Sequence, residues 1–117
     1  MKTSQNKSIV LRQKLPVLLD NLRDILQIHD LWSSTVPSEQ AMGSRAPFAC
    51  DSMPLENWLQ FVFLPKLEHL LEQQQRLPEN LAILPIAQIA FSAKHHEPIL
   101  LAIEKIDRLF NAAEYSA

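Results

Sequence analysis

A single glycine against eight prolines in 117 residues is the feature that most restricts this chain. Sandwiches and barrels turn their strands through many glycine-bearing hairpins, so this ratio disfavours an all-β fold. P-loops and dinucleotide folds need several glycines to bring backbone close to phosphate, and the lone Gly43 builds neither. At 47% apolar and 21% charged residues, the chain has ordinary globular composition, and its length suits a single domain with one core.

Helical periodicity fills what the glycine count leaves open. Leu11, Leu15, Leu18, Leu22, Ile25, His29 and Trp32 recur at spacings of four and three, predicting a first helix over residues 8–32. Pro16 lies off that seam and should kink the helix or delay its start by a turn. A second helix is expected over 52–76, with Asp51 or Ser52 capping its start and Pro54 in its first turn. Pro65 lies inside it and should bend it without ending it, because Leu67, Leu70 and Leu71 resume the apolar pattern. A third helix over 85–94 should carry Ile86, Ile89, Ala90 and Ala93 on one apolar face. After a turn at His95-His96-Glu97-Pro98, a fourth over 98–113 should bury Ile99, Leu100, Ile103, Ile106, Leu109 and Phe110. The expectation is an all-α, single-domain bundle of four main helices, with a long loop over 33–51 between the first two. Residues 33–44 offer few apolar side chains and should be the most mobile internal segment.

Net charge is −2, with five basic and three acidic side chains in residues 1–32 and three basic and five acidic in residues 77–117. No Lys/Arg stripe gathers on one face, so direct nucleic-acid binding is not expected. Cys50 is the only cysteine, which excludes an internal disulfide and suits a reducing compartment. No apolar run approaches signal-peptide or membrane-spanning length, so the expected location is the cytoplasm, away from membranes.

Chemistry-bearing constellations are sparse. His95-His96-Glu97 puts three potential ligands in a row, but neighbours in a turn do not converge unaided. His29, His69 and Cys50 add no zinc spacing, so neither metal nor cofactor is expected. Cys50 precedes a helix start, where thiols can be activated, yet no histidine lies near it in sequence. Asp20/Asp24 and Glu68/Glu72 are like-charge pairs on solvated faces rather than an acid/base pair. No catalytic residue is assigned, and the chain is expected not to be an enzyme.

The second helix carries the distinctive pattern. At about 100° per residue, Leu55, Trp58, Leu59, Val62 and Pro65 share one side, while Glu56, Gln60, Phe63 and Leu67 line the other. Either another helix or the long loop covers this second side, or it stays open as a docking strip. The docking reading makes Phe48, Asp51, Glu56, Gln60, Phe63, Leu67 and Trp32 candidate partner-binding residues, with apolar anchors rimmed by polar groups.

Phe48, Asp51-Ser52-Met53, Leu55-Glu56, Trp58-Leu59-Gln60, Phe61 and Pro65-Lys66 together resemble the YqcC-like family of small bacterial proteins. A looser match continues through Leu77-Pro78 and Pro85–Ala90 to Ile103–Phe110. The resemblance implies a small all-α bundle whose members are often encoded beside a tRNA pseudouridine synthase. Such synthases resemble a much larger, sheet-rich catalytic domain, so the implied role is at most accessory. The resulting expectation is a non-catalytic interaction protein, whose partner is a tRNA-modifying enzyme or a second copy of the chain. The alternative is a small-molecule-binding domain with a pocket between helices.

Overall fold

Leu11, Leu15, Leu19, Leu22 and Leu26 form the buried line of α1 (Lys2–Ile28). The seam therefore runs one position round from the expected one, with Leu18 and Ile25 on its flank. The computed structural model describes residues 2–111. α1 begins earlier than residue 8 because no proline or glycine precedes Pro16 to stop it, and it continues through Pro16 as one helix. It also ends four residues early, at Ile28. The Leu31 N–H reaches Leu26 O (2.9 Å) and the Asp30 N–H reaches Gln27 O (3.1 Å), with Asp30 at φ 57°. This is a Schellman closure, with an aspartate in the left-handed position that glycine usually fills.

The loop that follows holds a one-turn helix α2 (Glu39–Met42), capped by Ser38 Oγ, and a 3₁₀ turn at Pro47–Ala49. The expected second helix is α3 (Leu55–Trp58), a π turn (Leu59–Phe63) and α4 (Leu64–Glu72) in unbroken succession. Trp58, Leu59, Phe63 and Leu64 all keep right-handed helical dihedrals, so the rod is continuous. The Leu64 N–H donates to Leu59 O, five residues back. The widened turn lies directly before Pro65. Proline has no N–H to give and its ring crowds the carbonyl four residues earlier, so a wider turn relieves that contact. Neither Asp51 nor Ser52 caps α3. Pro54 is the N-cap residue, and Ser52 Oγ instead donates to Ala41 O and Ala49 O.

α4 ends in a second Schellman closure, Gln75 N–H to Leu70 O (2.9 Å) and Gln74 N–H to Leu71 O (3.2 Å), with Gln74 at φ 53°. α5 (Leu84–Ala90) buries Ala87, with Ile83 and Phe91 on the same side just beyond its ends. Of the expected apolar face, Ile86 is half-buried, whereas Ala90 and Ala93 are exposed and Ile89 is 75% exposed. A 3₁₀ turn (Lys94–His96) leads into α6 (Glu97–Phe110), where Ile99, Ala102, Ile103, Ile106, Leu109 and Phe110 are buried. The expected last residues of this helix, 112 and 113, lie outside the described residues.

α6 packs along α1, with α5 against α6 and α4 against α1, and the leucine line of α1 meets the isoleucines of α6 in one core. Arg23 ties α1 to α4 by bridging Asp20 (3.0 Å) and Glu68. The segment before α5 is held from α6: Asp107 Oδ2 accepts the Leu84 N–H (2.7 Å), and the Asn111 amide pairs with both N–H and C=O of Leu81. The fold is all-α, with four main helical segments and, among the described residues, no strand. Among the same residues no helix is long and apolar enough to cross a membrane.

Candidate interaction site

Gln60 organises the region where the long loop meets the second helix. It projects from the π turn and its amide grips one residue: Oε1 accepts the Ser33 N–H (2.8 Å) and Nε2 donates to Ser33 O (2.8 Å). A side-chain amide here does for a loop residue what a neighbouring strand would do in a sheet. It satisfies donor and acceptor together. Gln60 is thereby buried, at 7% exposure, and serves as a loop anchor rather than a docking contact.

The aromatic residues beside it are ordered by the π turn. Trp58 and Phe63 stack with ring centroids 5.5 Å apart, and Phe48 meets Trp58 edge to face at 5.0 Å. On a uniform α wheel Trp58 and Phe63 fall on different sides. A turn bonded five residues apart brings them onto one. Phe63 is 4% exposed and Leu67 2%, so both belong to the chain's own core. The proposed exposed strip of Glu56, Gln60, Phe63 and Leu67 does not exist in the monomer. Its buried members fill the space under the loop and between the helices.

Phe48 and Ala49 take left-handed backbone at φ 57° and 50°. Side chains rarely tolerate this, and each such residue costs about 1–2 kcal/mol. The local hydrogen bonds hold them there: Ala49 N–H to Ala46 O (2.9 Å) and Met53 N–H to Ala49 O (3.1 Å). Phe48 stays half-buried against Trp58. Asp51 is exposed and accepts from Ser44 Oγ, and Ser52 Oγ to Ala41 O (3.0 Å) seats α2 on the same turn. Residues 33–44, expected to be loose, therefore carry attachments at both ends. Trp32 is half-buried against the core edge. On the outer side of the loop, Val36 and Met42 are 69% and 40% exposed.

Sequence reasoning missed a cluster of histidines. The end of α1 places His29 beside His95 and His96, with ring centroids 6.4 and 6.3 Å away, and the latter two lie 4.2 Å apart. Burial pushes His96 below the ordinary imidazole value, His95 and His29 add repulsion, and Glu56 opposes them. The packing of α1 against α6 is what assembles the three rings, and no sequence spacing encodes it. Among the described residues, no group of three or more His, Cys, Asp and Glu is arranged to hold a metal ion. Cys50 is a free, exposed thiol at the rim of an apolar concavity of about 160 Å³, lined also by Phe48, Met53, Leu55 and Ile86. A larger groove of about 520 Å³ runs between α1 and α4 past Pro16, Leu71, Asp20, Glu68 and Glu72. Two of its carboxylates are held by Arg23.

Residues 14–109 match the DUF446 family model, described as tRNA pseudouridine synthase C. An "uncharacterized protein" of Haemophilus influenzae is 33% identical over 97 residues, 82% of this chain and 92% of that protein. YqcC of Escherichia coli is 34% identical over 94 residues, 79% of this chain and 86% of that one. A protein of Pectobacterium carotovorum named tRNA pseudouridine synthase C is 37% identical over 62 residues, 53% of this chain but 16% of that protein. The solution NMR structure of Escherichia coli YqcC superposes with a TM-score of 0.75 at 30% identity, covering 86% of this chain and 87% of that one. The match of sequence over most of the chain, and of fold along with it, identifies this protein as a member of the YqcC-like DUF446 family.

Proposed function

We propose that this protein is a non-catalytic cytoplasmic accessory protein that binds a tRNA pseudouridine synthase through the outer surface of the loop between α1 and α3. One observation carries the reading. A 62-residue stretch similar to this chain lies within a longer Pectobacterium carotovorum protein named as such a synthase. A module joined to an enzyme in one chain works at high effective concentration, and a separate module needs a binding surface to reach the same place. The loop offers that surface: Val36 and Met42 stand exposed, with the half-buried Trp32, Phe48 and Trp58 beside the core. A few apolar anchors of this kind carry most of an interface's affinity. Since Phe63 and Leu67 are internal, contact falls to the loop, with Asp51 and Glu56 as polar neighbours.

The test uses the purified chain with the tRNA pseudouridine synthase of the same organism, read by calorimetry and by light scattering after gel filtration. A stoichiometric complex is expected, weakened at least tenfold by Val36→Asp with Met42→Asp, while the thermal melt of the variant stays unchanged. No complex at about 0.1 mM, a range in which even weak encounters register, would end the proposal. So would a doubly substituted variant that binds at full strength, retention of tRNA by the chain alone, or a homodimer that uses the same face.

A further inference from the structure

Three imidazoles meet where α1 ends and α6 begins, and they come from two parts of the chain far apart in sequence. His29 follows the last turn of α1, while His95 and His96 belong to the Lys94–His96 turn that opens α6. His29 stacks on His95 with an interplanar angle of 25° and meets His96 edge-on at 70°. Phe91, just past the end of α5, meets His96 edge to face with centroids 5.6 Å apart. His96 Nδ1 is shut off from solvent and finds no hydrogen-bond partner among the described residues. We infer that this cluster is a proton-operated latch: neutral rings pack the Lys94–His96 turn onto the end of α1, and protonation releases it.

The charges facing His96 set the direction. From α1 comes His29, followed by the exposed Asp30; from α3 comes Glu56; α5 contributes no charged side chain, only the Phe91 ring. On its own turn Lys94 and His95 precede His96, and Glu97 follows it. Once all three rings are protonated, three cations crowd together with Glu56, among the described residues, the one acid acting on His96 from a packed helix. His96 is also the N-cap residue of α6, and a cation there faces the positive end of the helix dipole. Protonation is therefore easier with the turn swung out into water, and linkage requires acid to favour that open state. An ordinary imidazole changes charge between about pH 5 and 8, and the lowered value of His96 moves release of the latch toward the acid side of that range.

Nuclear magnetic resonance on the full chain tests this, following the imidazole carbon-bound protons of His29, His95 and His96 with pH. His69, on the exposed side of α4 outside the cluster, is the reference resonance. His96 should titrate below its value in a short peptide. The His29→Gln, His95→Gln double variant should raise that midpoint and Glu56→Gln should lower it further. Amides of residues 94–100 should gain exchange, corrected for intrinsic rates, as pH falls from about 7.5 to about 5.5, by about tenfold for each unit of depression. The double variant should lose the part of that gain that repulsion supplies, while the larger part, set by burial of His96, remains. A His96 midpoint at or above the peptide value overturns the latch, as does wild-type exchange that ignores pH, or a gain that persists undiminished in the double variant. Should the double variant not fold, the direction of the Glu56→Gln shift decides alone, and an upward shift overturns it.

Discussion

Replacing Gln60 by leucine should release the loop between α1 and α3 while leaving the helical core folded. Two hydrogen bonds of 2.8 Å join the Gln60 amide to Ser33. Each contributes about 0.5–1.5 kcal/mol net, and a buried group left unpaired costs about 1–3 kcal/mol. Ser33 is half-buried, so water reaches its freed N–H and C=O once the loop lifts, which favours the low end of the penalty. Leucine retains most of the volume and leaves little cavity. The sum is about 2 kcal/mol, which corresponds to about a 30-fold increase in the opening equilibrium of the loop.

Because α1, α6 and the leucine line of α4 do not depend on this clamp, the loss should appear as local opening and not as global unfolding. Amide exchange followed by mass spectrometry should accelerate over residues 31–44, with Ile99–Phe110 unchanged. Gln60→Glu keeps an acceptor for the Ser33 N–H but loses the donor to Ser33 O and buries a charge. Its loop should open further as pH rises through the carboxylate range. Unchanged exchange at residues 31–44 in Gln60→Leu would show that the clamp holds nothing. Equal acceleration of loop and core would show that the loop is not a separate unit.

Phe63→Ala should cost about 3–5 kcal/mol in urea unfolding, the range for a buried aromatic, and a loss under 1 kcal/mol with a folded chain would return Phe63 to the surface. Gln74→Gly should stabilise by about 0.5–1 kcal/mol, because Gln74 is held at φ 53° where glycine carries no side-chain clash; no gain in the melt would argue against that strain. Asp107 is raised above the ordinary carboxylate value by burial, against the N–H groups of Leu84 and Ile83, which lower it. The native state therefore takes up its proton first on acidification. This term adds stability as pH falls from the raised midpoint toward the unfolded value near about 3.9, and withdraws it as pH rises through the same window. Asp107→Asn should flatten that part of a stability–pH curve, and an unaltered curve would assign the slope to other groups.

The four helical segments were legible because their apolar spacing and their prolines both survive folding. Pro54, Pro85 and Pro98 stand within a residue of the helix starts they were expected to mark. The second helix shows where such reading stops. Its wheel assumed one angular step per residue, and the π turn before Pro65 changes that step for five residues. The register error grows along the turn, so Trp58 and Phe63, on opposite sides of a uniform wheel, instead stack. Pro65 was the available signal: it requires relief in the preceding turn, and a wider turn is one way to supply it. Asp107 was hidden for a different reason. A carboxylate on the buried side of an amphipathic helix looks like an exception until the N–H groups of the Leu84 segment are seen against it.

With one glycine and, among the described residues, no strand, the chain closes its non-helical stretches by other means. Asp30 and Gln74 take the left-handed position at two helix ends, and Phe48 and Ala49 take it in the loop. Two side-chain amides, Gln60 on Ser33 and Asn111 on Leu81, pair with the backbone of single loop residues, and Asp107 caps α5 from α6. The left-handed closures are local, but the three side-chain devices each join segments distant in sequence, so each of those forms only when the helices have packed. Order in the loop is therefore conditional on the core. The first part of the loop, residues 33–44, is attached mainly by hydrogen bonds, from Gln60 to Ser33 at one end and from Ser52 to Ala41 and Ser44 to Asp51 at the other. Such a segment can open without unfolding the bundle, and a partner that contacts Val36 and Met42 would bind the closed form and hold it. The clamp at Gln60 then sets how much closed form is available, so Gln60→Leu should weaken partner binding in proportion to the loop opening it causes, although Gln60 itself touches nothing outside the chain.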